Sequence, residues 1–555
     1  MACCSAAVPD RGETQVPSDN REKLSPDDSQ ETDEVSEAPC AWVDAVENPR
    51  WYHKATGYEI FVRSFADSDG DGIGDFAGIT AKLDYLNDGD PAAGNDLGVD
   101  LLWLMPTSPS PSYHGYDVTD YRGVNPDYGT REDFDTFLEE AHSRGIRVVL
   151  DYVMNHSSSQ HPWFVASTDK TSDKRDWYVW SDTALNWKRP FGGKANSWHK
   201  QGTSWYYGIF WSGMPDLNYD SGDVRKEMTD AGLYWLDEVG VDGFRLDAVR
   251  YLLESGPDAL QDTPETLEFW AEFAQAMYAK RPDALLVGEA WASNDIAARY
   301  MAGGKGLNMT FNFDLMEAIV AGVQAEDATD VEGVFCRWGN QFPEGAANGT
   351  FLTNHDLLRL SSRVKENPAY VRLAPLLLYT LPGTPFVYYG QEIGMVNGPT
   401  LDDKHKRTPM QWDHSAHAGF TSGTPWIKVN SNFKTVNVSA QLADPDSVWT
   451  LYRQMIALRK SHLALQTGSF LPVAVSSTTT DDLWGFVRQH GDDKIAIAVN
   501  LGEASALAVK VTLPGDWVGA ASQVFPESAA KTTISDGTLS AGDIPPSALV
   551  VFVIQ

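Results

Sequence analysis

The sequence predicts an α/β protein: a (β/α)8 TIM barrel with a domain inserted after its third strand and a C-terminal antiparallel β-sandwich. Three observations predict it. Eight short apolar runs are mostly separated by stretches of helical periodicity. Acidic and histidine residues stand at the C-terminal ends of several of these runs, where a parallel barrel gathers its chemistry on one face. From about Gly468 onward the chain alternates apolar and polar residues between turn signals.

Taken in order, residues 1–41 are rich in Ser, Pro, Asp and Glu and poor in large apolar residues. Such a segment cannot bury enough surface to offset its conformational entropy and reads as a disordered acidic tether. The first part of the barrel spans 42–156, with strands expected at 58–65 (YEIFVRSF), 99–106 (VDLLWLMP) and 146–153. The insertion covers 157–218. The second part of the barrel, 219–467, carries strands at 242–249, 284–291, 308–314 (NMTFNFD), 349–356 and 385–392 (PFVYYGQE). The sixth of these is the least strand-like, because Asn and Asp are poor strand formers. Helices are expected in REDFDTFLEEAHSRG from Arg131 and in VRKEMTDAGLYWLDEVG from Val224, each closed by a Gly suited to a helix C-terminus. The β-sandwich covers 468–555, with strand-like DLWGFVRQ, DKIAIAVNL, ALAVKVTLP and SALVVFVIQ.

The segment GFRLDAVR carries the sharpest chemical signal. Arg245 and Asp247 are two positions apart on a strand-like run, so their side chains share a face. The guanidinium favours an ionised carboxylate, the state a carboxylate nucleophile needs. Alone, the pair is as readily a structural ion pair. Three more segments change the odds: IRVVLDYVMNH places Asp151 and His156, ALLVGEAW places Glu289 before Trp291, and GTFLTNHD places His355 and Asp356. A separate signal is ADSDGDGIGDFAGI. Asp67, Asp69, Asp71, the Ile73 carbonyl and Asp75 form a hard-cation pattern close to an EF-hand loop, and close carboxylates repel without a cation. The expected ion is Ca²⁺. Gly78 stands where such a loop ends in Glu, and the flanks read as strand and helix, which argues against a calcium sensor.

Together DYVMNH, GFRLDAVR, GEAW and TNHD resemble, in kind and order, the motifs of the α-amylase family, glycoside hydrolase family 13, over the chain from about Trp51. The resemblance implies that Asp247 is the nucleophile, Glu289 the general acid/base and Asp356 the carboxylate that stabilises the transition state, with His156, Arg245 and His355 completing the glycone subsite. It places Tyr116, in SYHGYDVTDY, as a stacking platform with His114 close by, and Trp291 on the leaving-group side. Exo-acting α-glucosidases of the family tend to carry an acidic residue three positions before this tyrosine. Tyr113 occupies that position, which implies an open cleft and internal cleavage. RTPMQWD at 407–413 instead resembles the oligo-1,6-glucosidase group, and MPDLN at 214–218 the neopullulanase and intermediate groups. The implied function is an endo-acting, retaining α-1,4-glucan hydrolase. A neopullulanase or cyclomaltodextrinase, a transglycosylase and a noncatalytic glucan-binding protein are the alternatives. By the same resemblance the insertion is the family's B domain, forming one wall of the cleft. Most of its tryptophans are expected to pack its own core and one or two to touch substrate.

A formal charge of −34 excludes nucleic acid and anionic membranes as expected partners, while a neutral α-glucan fits. A monomer is expected. Four cysteines, Cys3, Cys4, Cys40 and Cys336, make no disulfide framework. Small residues and cysteine at the head of an acidic tether resemble a bacterial lipoprotein whose signal peptide Met1 has replaced. On that reading a lipid anchor sits on Cys3 or Cys4 and the protein works outside the cytoplasm; an ordinary cytosolic tail is the alternative.

Overall fold

The computed structural model describes residues 42–90, 94–191 and 195–555. The tether expected at 1–41, with Cys3, Cys4 and Cys40, lies outside the described residues.

Before the insertion the chain forms β1 (Gly57–Ile60), β2 (Leu101–Leu104) and β3 (Arg147–Tyr152); within it, β4 (Trp180–Ser181), β5 (Trp198–Gln201) and β6 (Ser204–Tyr207). After it come β7 (Gly243–Leu246), β8 (Leu285–Gly288), β9 (Met309–Phe311), β10 (Ala347–Phe351) and β11 (Thr384–Tyr388). Eight of these close a barrel in the order β1-β11-β10-β9-β8-β7-β3-β2, with every pair parallel. Parallel strands covered on both faces must be apolar nearly throughout, and β1, β2, β7 and β8 are buried along their whole length. Trp103, Val149, Val287, Phe311 and Phe386 belong to one core cluster that fills the barrel interior.

The strands are shorter than the apolar runs that announced them. The first ends at Ile60 rather than at residue 65, and Val62–Phe65 forms a helical turn, also buried. A continuously apolar run does not distinguish buried strand from buried turn. The sixth has three residues, because the Asn312 side chain accepts the Leu315 N–H and starts the helix Phe313–Ala325.

Helix Arg131–Ser143 shows why the barrel is clad as it is. Thr130 and Asp133 form a reciprocal capping box, and Phe134, Phe137, Leu138 and Ala141 are its buried stripe. Burying each Phe there contributes about 1.5–3 kcal/mol. The helix expected from Val224 is α-helical over Gly222–Leu233 and widens to a π-helical segment over Tyr234–Val239. It ends at Gly240, whose φ of 94° only glycine adopts without strain.

In the insertion, β4, β6 and β5 form one small sheet. Its aromatic residues pack one another: Trp163 on Trp177 at 4.7 Å, Trp187 on Trp198 at 5.3 Å and Phe164 on Trp180 at 5.7 Å.

Nine further strands follow: β12 (Leu471–Pro472), β13 (Val475–Ser476), β14 (Leu483–His490), β15 (Asp493–Asn500), β16 (Ala506–Thr512), β17 (Ala520–Phe525), β18 (Glu527–Thr533), β19 (Thr538–Ile544) and β20 (Ala548–Ile554). They make a six-stranded sheet, β12-β14-β15-β20-β17-β18, and a three-stranded one, β13-β16-β19, with antiparallel pairing. Alternation on β15 sorts its faces. Ile495, Ile497 and Val499 join the core that runs through the barrel, while Ala496 and Ala498 join the core between the two sheets. Buried Arg488 fastens the sandwich to the barrel by donating to the carbonyls of Thr380 at 2.6 Å and Gly468 at 3.0 Å.

Cys336, on the helix Thr329–Gln341, is disulfide-bonded, a single bridge rather than a framework. Counting cysteines did not reveal the bond, since no framework spacing marks a single tertiary bridge. Among the described residues no helix is long and apolar enough to cross a membrane.

Candidate active site

Strand register decides what meets at the barrel mouth. Asp151 on β3 pairs in register with Arg245 on β7. The Arg245 side chain is 1% exposed, and a guanidinium taken that far out of water must be paired. It is paired three times. Nη1 donates to Asp151 Oδ1 at 2.8 Å and to Asp247 Oδ1 at 2.6 Å, and Nη2 lies 2.7 Å from Glu289 Oε1. Asp247 and Glu289 stand just past the ends of β7 and β8, so rigid strands aim both groups while leaving them outside the ladder.

His355, beyond β10, organises the other half. Its ring is fully buried, with Nδ1 2.6 Å from Glu59 Oε1 on β1 and Nε2 2.7 Å from Tyr116 Oη and 3.1 Å from Asp356 Oδ2. Burial works against an imidazolium, but Asp356 and Glu59 outweigh it and carry His355 to about 10. Both ring nitrogens then donate, and Tyr116 Oη donates its own hydrogen bond to Asp151 Oδ2 at 3.0 Å. Burial would raise Asp356; His355, and then Arg407 with Nη2 2.8 Å from Oδ1, hold it well below the usual carboxylate range.

Glu289 is set apart from its neighbours. Burial pushes it up, Arg245 opposes, and Asp247 and Asp356 add to the rise, leaving it at about 8. The site thus holds a carboxyl group protonated near neutral pH next to a carboxylate, Asp247, that is ion-paired to Arg245. That is the pairing of acid and nucleophile that glycosidic cleavage through a covalent intermediate requires.

Above these groups lies a cleft of about 770 Å³. Asp247, Glu289, Asp356, His114, Tyr116, His156 and Trp291, all anticipated from sequence, line it together. Arg245 and His355 do not; they lie one layer below, with their donors turned to the carboxylates. Tyr116 stacks on His355 at 5.6 Å. His156 is buried, and its Nε2 has no partner among the described residues. Burial lowers His114 to about 4, which keeps it neutral.

In the first loop, Asp67, Asp69 and Asp71 bring carboxylate oxygens within 4.8 Å of one another. Asp67 accepts the backbone N–H groups of Gly70 at 2.7 Å and Gly72 at 2.8 Å, which fixes the turn. Burial, and then Asp69 and Asp67, push Asp71 up. This repulsion between hard oxygen donors fits a divalent cation. Asp75 lies outside that cluster of three. Its two oxygens accept the N–H groups of Ser68 and Gly78 and cap the helix Phe76–Thr80, which leaves Oδ2 a further lone pair.

Sequence reasoning left Glu59, Asp151, Arg250 and Arg407 off the list of site residues. Arg407 opens the RTPMQWD segment, so its signal was in view. Arg250, within GFRLDAVR, donates to the Trp291 carbonyl at 2.6 Å and is clamped by Asp262. Glu59 carried no local signal, because its role depends on a partner 296 residues away.

With this geometry in hand, comparison with known proteins is direct. The sequence pattern of the family described as "Alpha amylase, catalytic domain" matches residues 59–468. Alpha-amylase 3 of Dictyoglomus thermophilum is 37% identical over 462 residues, 82% of this chain and 86% of that protein. An oligo-1,6-glucosidase of Parageobacillus thermoglucosidasius is 33% identical over 82% of this chain and 91% of its own length. The crystal structure of an alpha-amylase from H. orenii superimposes with a TM-score of 0.78 at 36% identity, covering 90% of this chain and 99% of that one.

Proposed function

The chain belongs to the α-amylase family of glycoside hydrolases, and from that premise we propose that it is a retaining, endo-acting hydrolase of α-1,4-linked glucans. Asp247 attacks the anomeric carbon while Glu289 gives its proton to the departing glycosidic oxygen. Glu289, now a carboxylate, takes a proton from water, the water oxygen attacks the same carbon, and the bond to Asp247 breaks. Asp247 is ion-paired to Arg245, and Asp356 to His355 and Arg407; both carboxylates face the positive charge that develops in the oxocarbenium-like transition state.

The observation that carries internal cleavage is Tyr113. It lines the cleft and stacks on Trp426 at 5.3 Å and 23°, so that position offers a ring where an acid would grip a chain end. One observation favours an exo-acting oligo-1,6-glucosidase instead: Asp403 lines the cleft together with Arg407 and supplies a carboxylate from another loop. Time-resolved digestion of soluble starch, beside pullulan, β-cyclodextrin and isomaltotriose, decides. A rapid fall in iodine staining with mixed oligosaccharides is expected. Glucose alone, released first from isomaltotriose, would establish the exo reading, and faster turnover of pullulan or cyclodextrin would move the enzyme to the neopullulanase side.

Two further parts of the reading concern setting. Ca²⁺ is proposed in the first loop, held by Asp67, Asp69 and Asp71 with the Ile73 carbonyl and Asp75, as a structural ion that neutralises crowded carboxylates. An extracytoplasmic, lipid-anchored enzyme is proposed too; the Cys336 disulfide supports it, since such bonds persist in oxidising compartments.

A further inference from the structure

Two tryptophans are counted among the exposed large hydrophobic residues, Trp211 at 50% and Trp291 at 47%, and both line the same cleft. Every other tryptophan of the inserted domain is at least partly buried. An indole left half in water forgoes burial that its neighbours obtain, so the position of these two calls for a ligand.

Both rings are held in place. Trp291 lies flat on Phe313 at 4.8 Å and 10°, and its carbonyl is fixed by Arg250 at 2.6 Å. The Trp211 ring rests against the bare backbone of Gly213, where an added Cβ would come within 2.2 Å of the indole. The turn beneath it is tied down by Met214 N–H to the Trp211 carbonyl at 3.0 Å, Ser159 N–H to the Gly213 carbonyl at 2.8 Å and Tyr206 Oη to the Ser212 carbonyl at 2.6 Å. Phe210, the preceding residue, turns inward onto His156 at 5.1 Å, which leaves Trp211 at the rim. A pre-positioned aromatic face with its other side in a cleft suits the C–H face of a pyranose ring and loses little entropy on binding.

We propose that Trp211 is a sugar-stacking platform on the wall supplied by the inserted domain, which acts with Trp291 to make the enzyme favour long glucan chains over short ones. The proposal rests on the α-glucan reading and specifies which part of the chain it selects. Trp211 offers an apolar ring face rather than an acid, base or nucleophile, so it contributes through binding.

The test compares kcat and KM of the unaltered enzyme, Trp211→Ala, Trp211→Phe and Gly213→Ala on maltotriose and maltoheptaose, with thermal denaturation of each. The expected result for Trp211→Ala is at least a tenfold fall in the ratio of kcat/KM for maltoheptaose to that for maltotriose, carried by KM, at unchanged Tm. Trp211→Phe should restore most of that ratio. Gly213→Ala, which dislodges the ring without removing it, should lower it. An unchanged ratio in Trp211→Ala, or an equal loss on both substrates, overturns the proposal. If the unaltered enzyme cuts isomaltooligosaccharides in preference, the functional reading falls. The same ratio measured on isomaltotriose and isomaltoheptaose then judges Trp211 independently.

Discussion

At the residue scale, the site depends on how one guanidinium is shared. Arg245 meets Asp151, Asp247 and Glu289 at 2.6–2.8 Å, yet Glu289 stands at about 8 because burial and two neighbouring carboxylates outweigh its share of that charge. This sets a trade between activity and stability. Glu289 in the folded protein keeps a proton that the unfolded chain releases near the ordinary carboxylate value, so its contribution to stability is complete at low pH and is lost as pH rises toward 8. Glu289→Gln carries no such loss. Its kcat is expected to fall by about 10²–10⁴, while its Tm relative to the unaltered enzyme rises steadily from pH 5 to pH 8. Thermal melts across that range with parallel starch assays check both, and a constant Tm difference would contradict the burial of a raised Glu289. The Arg245–Asp247 contact could be read from sequence, because the i and i+2 alternation of the strand carries over to the residue just past its end. Asp151 and Glu59 as partners could not, because cross-barrel register is set by closure of the whole sheet.

At the scale of elements, each strand was recognisable from its apolar run and none from its limits. YEIFVRSF is apolar through strand and turn alike, and only the structure shows the chain leaving the sheet after Ile60. The loop that follows illustrates the same difficulty for ligands. Five oxygen donors at the right spacing look equivalent in sequence, whereas in the fold Asp75 also caps its helix. The three that converge give a specific expectation: EDTA should lower Tm, calcium should restore it, and Asp69→Asn with Asp71→Asn should abolish the calcium response without removing the turn. A cation at a hundredfold excess over its Kd stabilises by about 2.7 kcal/mol, a shift that a calcium titration of Tm resolves. No calcium dependence in the unaltered enzyme would leave the loop as a solvated turn.

At the scale of the molecule, a chain with 77 acidic and 43 basic residues carries a covalent tie at Cys336. The bond ties down the helix Thr329–Gln341. Reduction with dithiothreitol, or Cys336→Ser, is expected to cost about 2–4 kcal/mol, visible as a lower urea midpoint at unchanged kcat. An unchanged midpoint would mean that the bridge closes no loop the folded protein relies on. The barrel itself closes only when β1 meets β11, and the proton that ties His355 to Glu59 bridges 296 residues. On a ribosome, then, the growing polypeptide owns every reactive group except Arg407 before it can use any of them. Glycosidic cleavage awaits the sealing of the ring, which makes turnover a gauge of completed folding.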